Sequence, residues 1–487
     1  MNFKLKNHKN KLFPVFVFFI LLIAYLKTLL PTVSFWDTGE FQTIPYTLDI
    51  GHPTGYPTYI IFGKIFISLV PISSVAWKMN FFSALLVASG CALLTITIYS
   101  LTKNRLLSVF TVLLLGFTKI IWEIAIRAEV HSLHFFFVCI FLFLTTKVIY
   151  FKKTKLLPLL SFTTALSLGN HLLSVFFIPL LSLNFIFCLK TSKNAFLKLF
   201  FKSFFLFILG LSIYLFLPLT ALKKPPLTFD YNVATWDGFL RHIGGKDFRH
   251  LMASWTKNSF LETWNYYLNF LKNLLPVWGL FITIIGIIKG LKTKTFLHLL
   301  FGILFISTIL FSLRYQNASL ERYFITSLIL IIIWFTTGLD LIMTVFEKGL
   351  KKLFKNSPTI FINILFSMFI IILVVNKIKI NLPKVDQSKN FSGLNYALET
   401  LNNIEKNGVI ISWWSYSTPL WYLQKVEQYR PDIKIYNLSH YQWEDTILKN
   451  INKYPVYLIE NFNLTSSNLD LKKTGNIYKV IKTNEHL

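Results

Sequence analysis

What most constrains this chain is the recurrence of apolar runs of bilayer length. Stretches such as SLHFFFVCIFLFLTT (132–146) and ITSLILIIIWFTTGL (325–339) carry no formal charge. A helix that crosses a membrane needs about 20 mainly apolar residues, and runs of this kind are its signature. The chain as a whole is 54% hydrophobic and 17% aromatic, with mean hydropathy +0.55, which sets it apart from water-soluble domains. Eleven spans are expected, at 12–30, 77–100, 105–121, 131–150, 156–169, 171–189, 203–220, 274–289, 296–313, 322–346 and 358–376. Gly169-Asn170-His171 interrupts the stretch 156–189, which reads either as two short helices or as one tilted, broken helix. The basic head and long apolar stretch at the N-terminus, with no small-residue cleavage site, read as an uncleaved first helix.

The net charge is +27, yet its distribution excludes a nucleic-acid partner. The cations fall in short clusters between apolar runs, and no basic stripe with interleaved aromatics or nucleic-acid motif is present. Lysine and arginine mark cytoplasmic loops. The head (Lys4, Lys6, Lys9, Lys11) and alternate loops bear them: Lys103 and Arg105; Lys152, Lys153 and Lys155; Lys190, Lys193, Lys198 and Lys202; Lys289, Lys292 and Lys294; Lys348, Lys351, Lys352 and Lys355. The eleven-span thread puts all of them on one side, with the N-terminus in the cytoplasm and the protein in the cell membrane. Cys91, Cys139 and Cys188 lie inside apolar runs, where small packing residues are expected.

The acids occupy the other side. Asp37, Glu40, Asp49, Glu123, Glu129, Asp230, Asp237, Asp247, Glu262 and Glu321 fall in outer loops or at outer helix ends, and only Asp340 and Glu347 fall near the cytoplasm. His52, Arg127, His131, Asn170, His171, Arg314 and Arg322 share the outer side. Ionisable groups beside a bilayer are costly and usually face a cavity or a partner, so a polar site at the outer boundary is expected. Asp237, Asp247 and Glu262 read more simply as solvated loop charges. Two domains follow: a membrane domain (1–380) with a first outer loop (31–76) and a long outer loop (221–273), then a small α/β domain (381–487) on the outer face. In that tail GVIISWW, IKIYN and PVYLIE read as strands, with helices near 391–406 and 417–428. Its aromatic cluster (Trp413, Trp414, Tyr416, Trp421, Tyr422) either stacks on a sugar or acceptor peptide, or packs the tail against the membrane domain. Sequons at Asn317, Asn390, Asn437 and Asn463 carry little weight in so Asn-rich a chain.

In the first outer loop Asp37 and Glu40 are three apart and would share a helix face. Gly39 allows close backbone approach, and Pro53 and Pro57 shape the turns around Gly55. Residues 56–70 read as an interfacial helix. The stretch WDTGEF…TLDIGHPTGYPTYIIFGKIF resembles the opening of a family of polytopic membrane proteins. That family includes the eukaryotic transmembrane O-mannosyltransferase of plexin-type immunoglobulin-like domains. WEIAIRAEVHSLHFFF (122–137), LSLGNHLLS (166–174), KKPPLTFDYNVATWDGFLRHIGGKDF (223–248) and WWSYSTPLWYLQKVEQYRPDIKIYN (413–437) resemble further family segments, in order. Departures include Thr38 for Ser, His131 for Tyr, Lys223-Lys224 for Asn before the prolines, and Phe229-Asp230 for Trp-Gly.

The resemblance implies a GT-C-type glycosyltransferase, a polytopic helical fold of about eleven spans whose first outer loop carries a catalytic carboxylate. It also implies a sugar donor on polyprenyl phosphate and an acceptor hydroxyl on protein or glycan. Such a transfer needs a general base and stabilises an oxocarbenium-like transition state. Asp37 is the expected base, with Glu40 as reserve or orienting group, and direct displacement inverts the anomeric centre. His52, Arg127, Glu129, His131, Asn170, His171, Arg314 and Arg322 are the expected donor phosphate and sugar ligands. Arginine can hold phosphate oxygens in pairs; each histidine also suits a packing role, and Arg322 could simply pair with Glu321. Asp37, Glu40, Glu129 and His131 are the right ligand types for a divalent ion, but no spacing is diagnostic, and no metal site is assigned. A transporter or flippase of lipid-linked sugars and an inactive scaffold remain the alternatives. A transporter would carry an internal repeat or mid-membrane polar groups, and neither is evident.

Overall fold

The computed structural model describes residues 12–191, 193–224, 227, 229, 231–252, 256–316, 319–353, 359–466 and 468–483. The basic head, Pro225, Pro226, Asp230, the sequon at Asn317 and Lys355 lie outside the described residues. The membrane domain is a helical bundle: α1 (Phe13–Lys27), α2 (Trp36–Thr47), α3 (Pro57–Leu69), α4 (Val75–Thr102), α5 (Arg105–Gly116), α6 (Lys119–Ala125), α7 (Val130–Ile149), α8 (Leu157–Leu168), α9 (Phe177–Thr191), α10 (Lys193–Leu211), α11 (Phe216–Ala221), α12 (Trp236–Ile243), α13 (Lys257–Leu274), α14 (Val277–Thr293), α15 (Thr295–Arg314), α16 (Ile325–Leu353) and α17 (Thr359–Val385).

Among the described residues seven helices are long and apolar enough to cross a membrane, or nine if each of two bent pairs is one span. This is fewer than the eleven expected. Described helices α1 and α8 are 15 and 12 residues long, about 22 and 18 Å at 1.5 Å per residue, short of a hydrocarbon core. The expected span 105–121 is α5 and α6, bent by 74°, where the Thr118 hydroxyl donates to the Leu115 carbonyl at 2.6 Å and closes the turn. The interrupted stretch resolves into two helices, because Asn170 and His171 lead into a 3-10 turn, Leu172–Phe176, before α9. The expected loop 221–273 holds α12 and the 18-residue α13. Chain direction changes by 95° between α13 and α14, where Leu275 is extended as a residue before proline prefers. The last span runs to Val385, beyond the expected 376. The Asn381 amide anchors it by donating to the Phe117 carbonyl at 2.8 Å.

Lysine-bearing turns gather at one end of the bundle. The Lys294 ammonium donates to the Leu101 carbonyl at 3.1 Å and lies 4.8 Å from the Tyr150 ring centre, so three such turns meet there. Helices α14 and α16 cross through two glycines. A Cβ on Gly286 would lie 1.8 Å from the Trp334 carbonyl oxygen, and one on Gly338 would lie 2.1 Å from that of Ile282. In lipid, where burial of apolar surface drives little, such close backbone contact supplies the packing. Asp340 and Lys289 seal the same helix pair at 2.6 Å.

The tail is an α/β domain. Strands β1 (Val409–Ser412), β2 (Lys434–Asn437), β3 (Val456–Leu458), β4 (Leu469–Thr474) and β5 (Ile477–Lys482) form one sheet in the order β2-β1-β3-β5-β4. The central β1 is parallel to β2 and β3, and β5 is antiparallel to β3 and β4. Helices α18 (Ser392–Asn402), α19 (Trp414–Lys425) and α20 (Trp443–Asn450) complete the domain. The three expected strands are present. The β4–β5 hairpin, turning at Gly475 with φ +60°, and α20 were not anticipated.

The tail docks on the first loop. A Cβ on Gly39 would lie 2.2 Å from the Ser34 carbonyl and 2.7 Å from the Thr418 hydroxyl of α19. The Tyr422 hydroxyl accepts from the Ala76 amide at 3.0 Å and donates to Glu427 at 2.9 Å. Gly338→Ala is expected to cost about 1–3 kcal/mol through overpacking. Gly302→Ala, inside α15 with nothing within 4 Å of the new Cβ, should not lower stability. Thermal midpoints of the two detergent-solubilised variants against wild type check this, and equal midpoints in all three would contradict it.

Candidate active site

Helix α2 presents Asp37 in its first turn, just after Trp36, which takes a left-handed φ of 58°. The Asp37 side chain keeps 30% exposure, whereas Glu129 is fully buried. Arg322, at the entry to α16, places Nη1 2.8 Å from Glu129 Oε2 and 3.8 Å from Asp37 Oδ2. The expected Glu321 partner for Arg322 is therefore replaced by two acids from distant segments; Glu321 instead accepts from the Tyr266 hydroxyl at 2.9 Å. Glu129 lies just before α7, and its Oε1 accepts from His131 Nδ1 at 2.9 Å. Burial opposes the Glu129 charge, but Arg322, His131 and Arg127 outweigh it and hold its pKa below the ordinary carboxylate range. Asp37 shifts the other way. Burial raises its pKa, Glu129 and Glu40 add to this, and His52 and Arg322 offset part of it.

Glu40 faces the same way as Asp37 but has no exposure. Its Oε1 accepts from the His52 amide and its Oε2 from His52 Nδ1, each at 2.7 Å. His52 Nε2 meets the Tyr56 hydroxyl at 3.0 Å, and that hydroxyl donates onward to the Pro53 carbonyl at 3.3 Å. Burial lowers the His52 pKa, but Glu40, Asp37 and Glu129 overcome this and bring it up to about 9. The imidazole is thus a cation at neutral pH, donating from both nitrogens.

Behind this pair lies a second polar layer. The His131 and His171 rings are 4.7 Å apart, and both touch Tyr323. The Asn170 amide donates to the Val130 carbonyl at 3.1 Å. Three buried polar atoms here have no protein partner: Arg127 Nε, His131 Nε2 and Asn170 Oδ1. The cluster therefore gathers Asp37, Glu40, His52, Arg127, Glu129, His131, Asn170, His171 and Arg322. Arg314 ends α15, half-buried, one residue before Tyr315, whose ring lies 4.6 Å from that of Tyr323. Asp237 is an exposed charge in the first turn of α12, and Asp247 pairs with Arg241 at 2.7 Å. Among the described residues no group of three or more His, Cys, Asp or Glu side chains could hold a metal ion.

Asn80 and the pairing of Lys224 were missed, whereas the tail tryptophans were expected at a sugar or against the membrane domain. Asn80 accepts from Gln42 Nε2 at 2.9 Å and from the Ala128 amide at 2.8 Å, and donates to the Leu30 carbonyl at 2.8 Å. It staples the first loop to the segment that carries Glu129. A lone Asn inside an apolar run was a readable signal. Lys224, noted only as a departure from the family, pairs with buried Asp49 at 2.7 Å. From the tail, the Trp414 ring lies 5.2 Å from His52 and 6.0 Å from Trp36. The Nε1 atoms of Trp413 and Trp414 are buried without a partner.

Residues 37–195 match the family described as protein O-mannosyl-transferase TMEM260, N-terminal domain, and residues 393–477 match TMEM260-associated domain 2. The structure superposes on ArnT from Cupriavidus metallidurans bound to undecaprenyl phosphate, with TM-score 0.60 and 10% identity over 96% of this chain and 97% of that one. The chain is thus similar in sequence to the TMEM260 O-mannosyl-transferases over these two segments and shares the fold of ArnT. The archaeal oligosaccharyltransferase of Archaeoglobus fulgidus, in complex with zinc and sulfate, shares the fold at TM-score 0.53 and 13% identity, over 91% of this chain and 67% of that one. Among named relatives, the protein O-mannosyl-transferase tmem260 of Dictyostelium discoideum is 25% identical over 472 residues, covering 88% of this chain. The mouse TMEM260 protein is 28% identical over 234 residues, covering 47% of this chain. The chain spans 57% and 33% of the lengths of these two relatives. The N-terminal match contains every clustered residue except Arg322, and the C-terminal match contains Trp413 and Trp414.

The Glu40–His52 pair has a pH signature. The folded-state pKa of His52 is raised above the ordinary value of about 6.5, so the pair's stabilisation is complete below that pH. It is lost as pH rises through about 9. A wild-type thermal midpoint that falls between pH 7 and 9.5, with a flatter profile in Glu40→Gln, is the expected result; parallel profiles would contradict the pairing.

Proposed function

We propose that this chain is a membrane glycosyltransferase that moves a sugar, mannose in the first instance, from polyprenyl phosphate to an acceptor hydroxyl outside the cytoplasm. Protein O-glycosylation is the favoured outcome. The observation that carries this reading is the position of Asp37, a partly exposed carboxylate with a raised pKa. Asp37 stands on a helix of the first loop in a GT-C fold, with Arg322 3.8 Å away at the entry to α16. In this reading the bundle sits in the cell membrane with its lysine-rich end and N-terminus in the cytoplasm. The carboxylate cluster and the tail face outward, where nucleotide sugars are absent and lipid-linked donors are available.

The acceptor oxygen attacks the anomeric carbon while Asp37 takes its proton. The bond from that carbon to the phosphate oxygen breaks, and the lipid phosphate leaves with the electron pair. Attack opposite to departure inverts the anomeric centre. A carboxylate whose pKa is pushed toward neutrality is a better base than an ordinary one. The oxocarbenium-like transition state is stabilised by the surrounding carboxylates, and the leaving phosphate by the cations Arg322, Arg127 and His52. His131 Nε2 and Asn170 Oδ1, without protein partners, are suited to sugar hydroxyls. Glu40, locked to His52, acts as a positioning group. Trp36 and Trp414 form the acceptor side of the rim.

Transfer from a panel of polyprenyl-phosphate sugars to surface extracts tests this reading. Asp37→Asn is expected to lose about 10²- to 10⁴-fold in rate, the usual worth of a general base, while keeping its fold. Glu40→Gln should lose less. Equal rates in all three proteins would remove Asp37 from the mechanism. Absence of transfer by wild type, together with movement of the donor lipid between leaflets of liposomes, would favour the flippase instead.

A further inference from the structure

At the end of the bundle opposite the carboxylate cluster, four cations from four segments gather. Lys103, with a left-handed φ of 61°, ends α4. Its ammonium lies 5.2 Å from the Phe151 ring centre, and Lys147 approaches the same ring at 4.7 Å. Arg105, at the start of α5, lies 5.9 Å from the Tyr99 ring centre. Lys294 reaches across from the α14–α15 turn to the Leu101 carbonyl. Burial, then Lys289 and Lys103, lower the Lys294 pKa, with Asp340 opposing. The acids of this end are already engaged: Asp340 with Lys289 at 2.6 Å and Glu347 with Lys351 at 2.5 Å.

Two of these cations, Lys103 and Arg105, border a groove. Tyr99, Lys103, Asn104, Arg105, Asn363 and Ile364 line this groove of about 380 Å³ between the α4–α5 turn and α17. Its floor is held in place. Asn104 caps α5 by accepting from the Leu107 amide at 3.1 Å, and its amide donates to Asn363 Oδ1 at 2.7 Å. Converging cations beside hydrocarbon repel one another, a cost that a bound anion relieves. We propose that this groove binds the phosphate of an anionic membrane phospholipid.

Lipid is favoured over free phosphate by what adjoins the groove. Phe361, Ile364, Leu365 and Met368 are 64%, 48%, 48% and 57% exposed. Their spacing of three and four places them on one face of α17, an apolar track leading from the groove along the bundle. A headgroup seated between Lys103 and Arg105 would lay its acyl chains on that track. Basic pockets between helices at the cytoplasmic boundary recognise acidic headgroups in this manner. The inference rests on the sidedness used above but not on the transfer reaction, since its residues are remote from Asp37.

The test uses the purified full chain in neutral detergent, titrated with phosphatidylglycerol or phosphatidylcholine, with retained lipid counted by native mass spectrometry. Wild type is expected to retain phosphatidylglycerol in preference to phosphatidylcholine. Lys103→Gln with Arg105→Gln should cut that retention roughly tenfold or more, given about 1 kcal/mol per basic residue at an anionic surface. Lys198→Gln with Lys202→Gln removes the same charge from exposed positions on α10 and should change retention less than about twofold. Millimolar inorganic phosphate should not displace the lipid. Equal losses in the two double variants, no preference for the anionic lipid, or full displacement by inorganic phosphate would each overturn the proposal. Because the readout is lipid binding, it stands or falls separately from sugar transfer.

Discussion

The ion pair between Arg322 and Glu129 is the interaction on which the rest of the site depends. It joins the entry of α16 to the entry of α7, nearly 200 residues apart in sequence, and reaches Asp37 through the same guanidinium. A fully buried carboxylate beside a bilayer is costly in isolation, and leaving one unpaired costs about 3–5 kcal/mol. Glu129 avoids that penalty by accepting from His131 on one oxygen and facing Arg322 on the other. Such a pair adds little net stability compared with a well-packed apolar replacement. What it provides is position: a fixed cation beside a carboxylate that alone in the group remains partly open.

Around this pair the three acids have different surroundings and therefore different chemical characters. Glu129 is held ionised by cations, Glu40 is spent on His52, and Asp37 is pushed toward the protonated form. Divergence of this kind between neighbouring carboxyl groups is how one site separates a structural anion from a proton acceptor. The tail domain belongs to this arrangement. Gly39 leaves room for the Thr418 side chain of α19 against α2, and Trp414 lies beside His52. Substitutions in the tail would thus be felt at the site.

Much of the architecture was legible before the fold was known. Apolar runs announce helices because unpaired backbone polar groups are intolerable in hydrocarbon, so the long spans α4, α7, α15 and α16 were found close to their true bounds. The grouping of acids at one end and lysines at the other also survives in the structure. Helix breaks were harder. The 74° and 95° bends depend on Thr118 and on Leu275-Pro276, single positions inside runs whose hydropathy hardly changes. The β4–β5 hairpin was hidden because its edge strand, LDLKKT, has only two apolar residues, a weak periodic signal.

By itself, then, the sequence determined that the chain is a multi-span bundle with a polar cluster at one end and a small α/β tail. Those properties follow from composition and period along the chain. Only the tertiary structure decided which surroundings each acid has. Asp37, Glu40 and Glu129 are equivalent as letters, and their neighbours Arg322, His52 and His131 come from separate segments. A carboxylate's charge state is set by the cations and the burial around it in space. Sequence distance, which made Glu321 the obvious partner of Arg322, carries no information about that field.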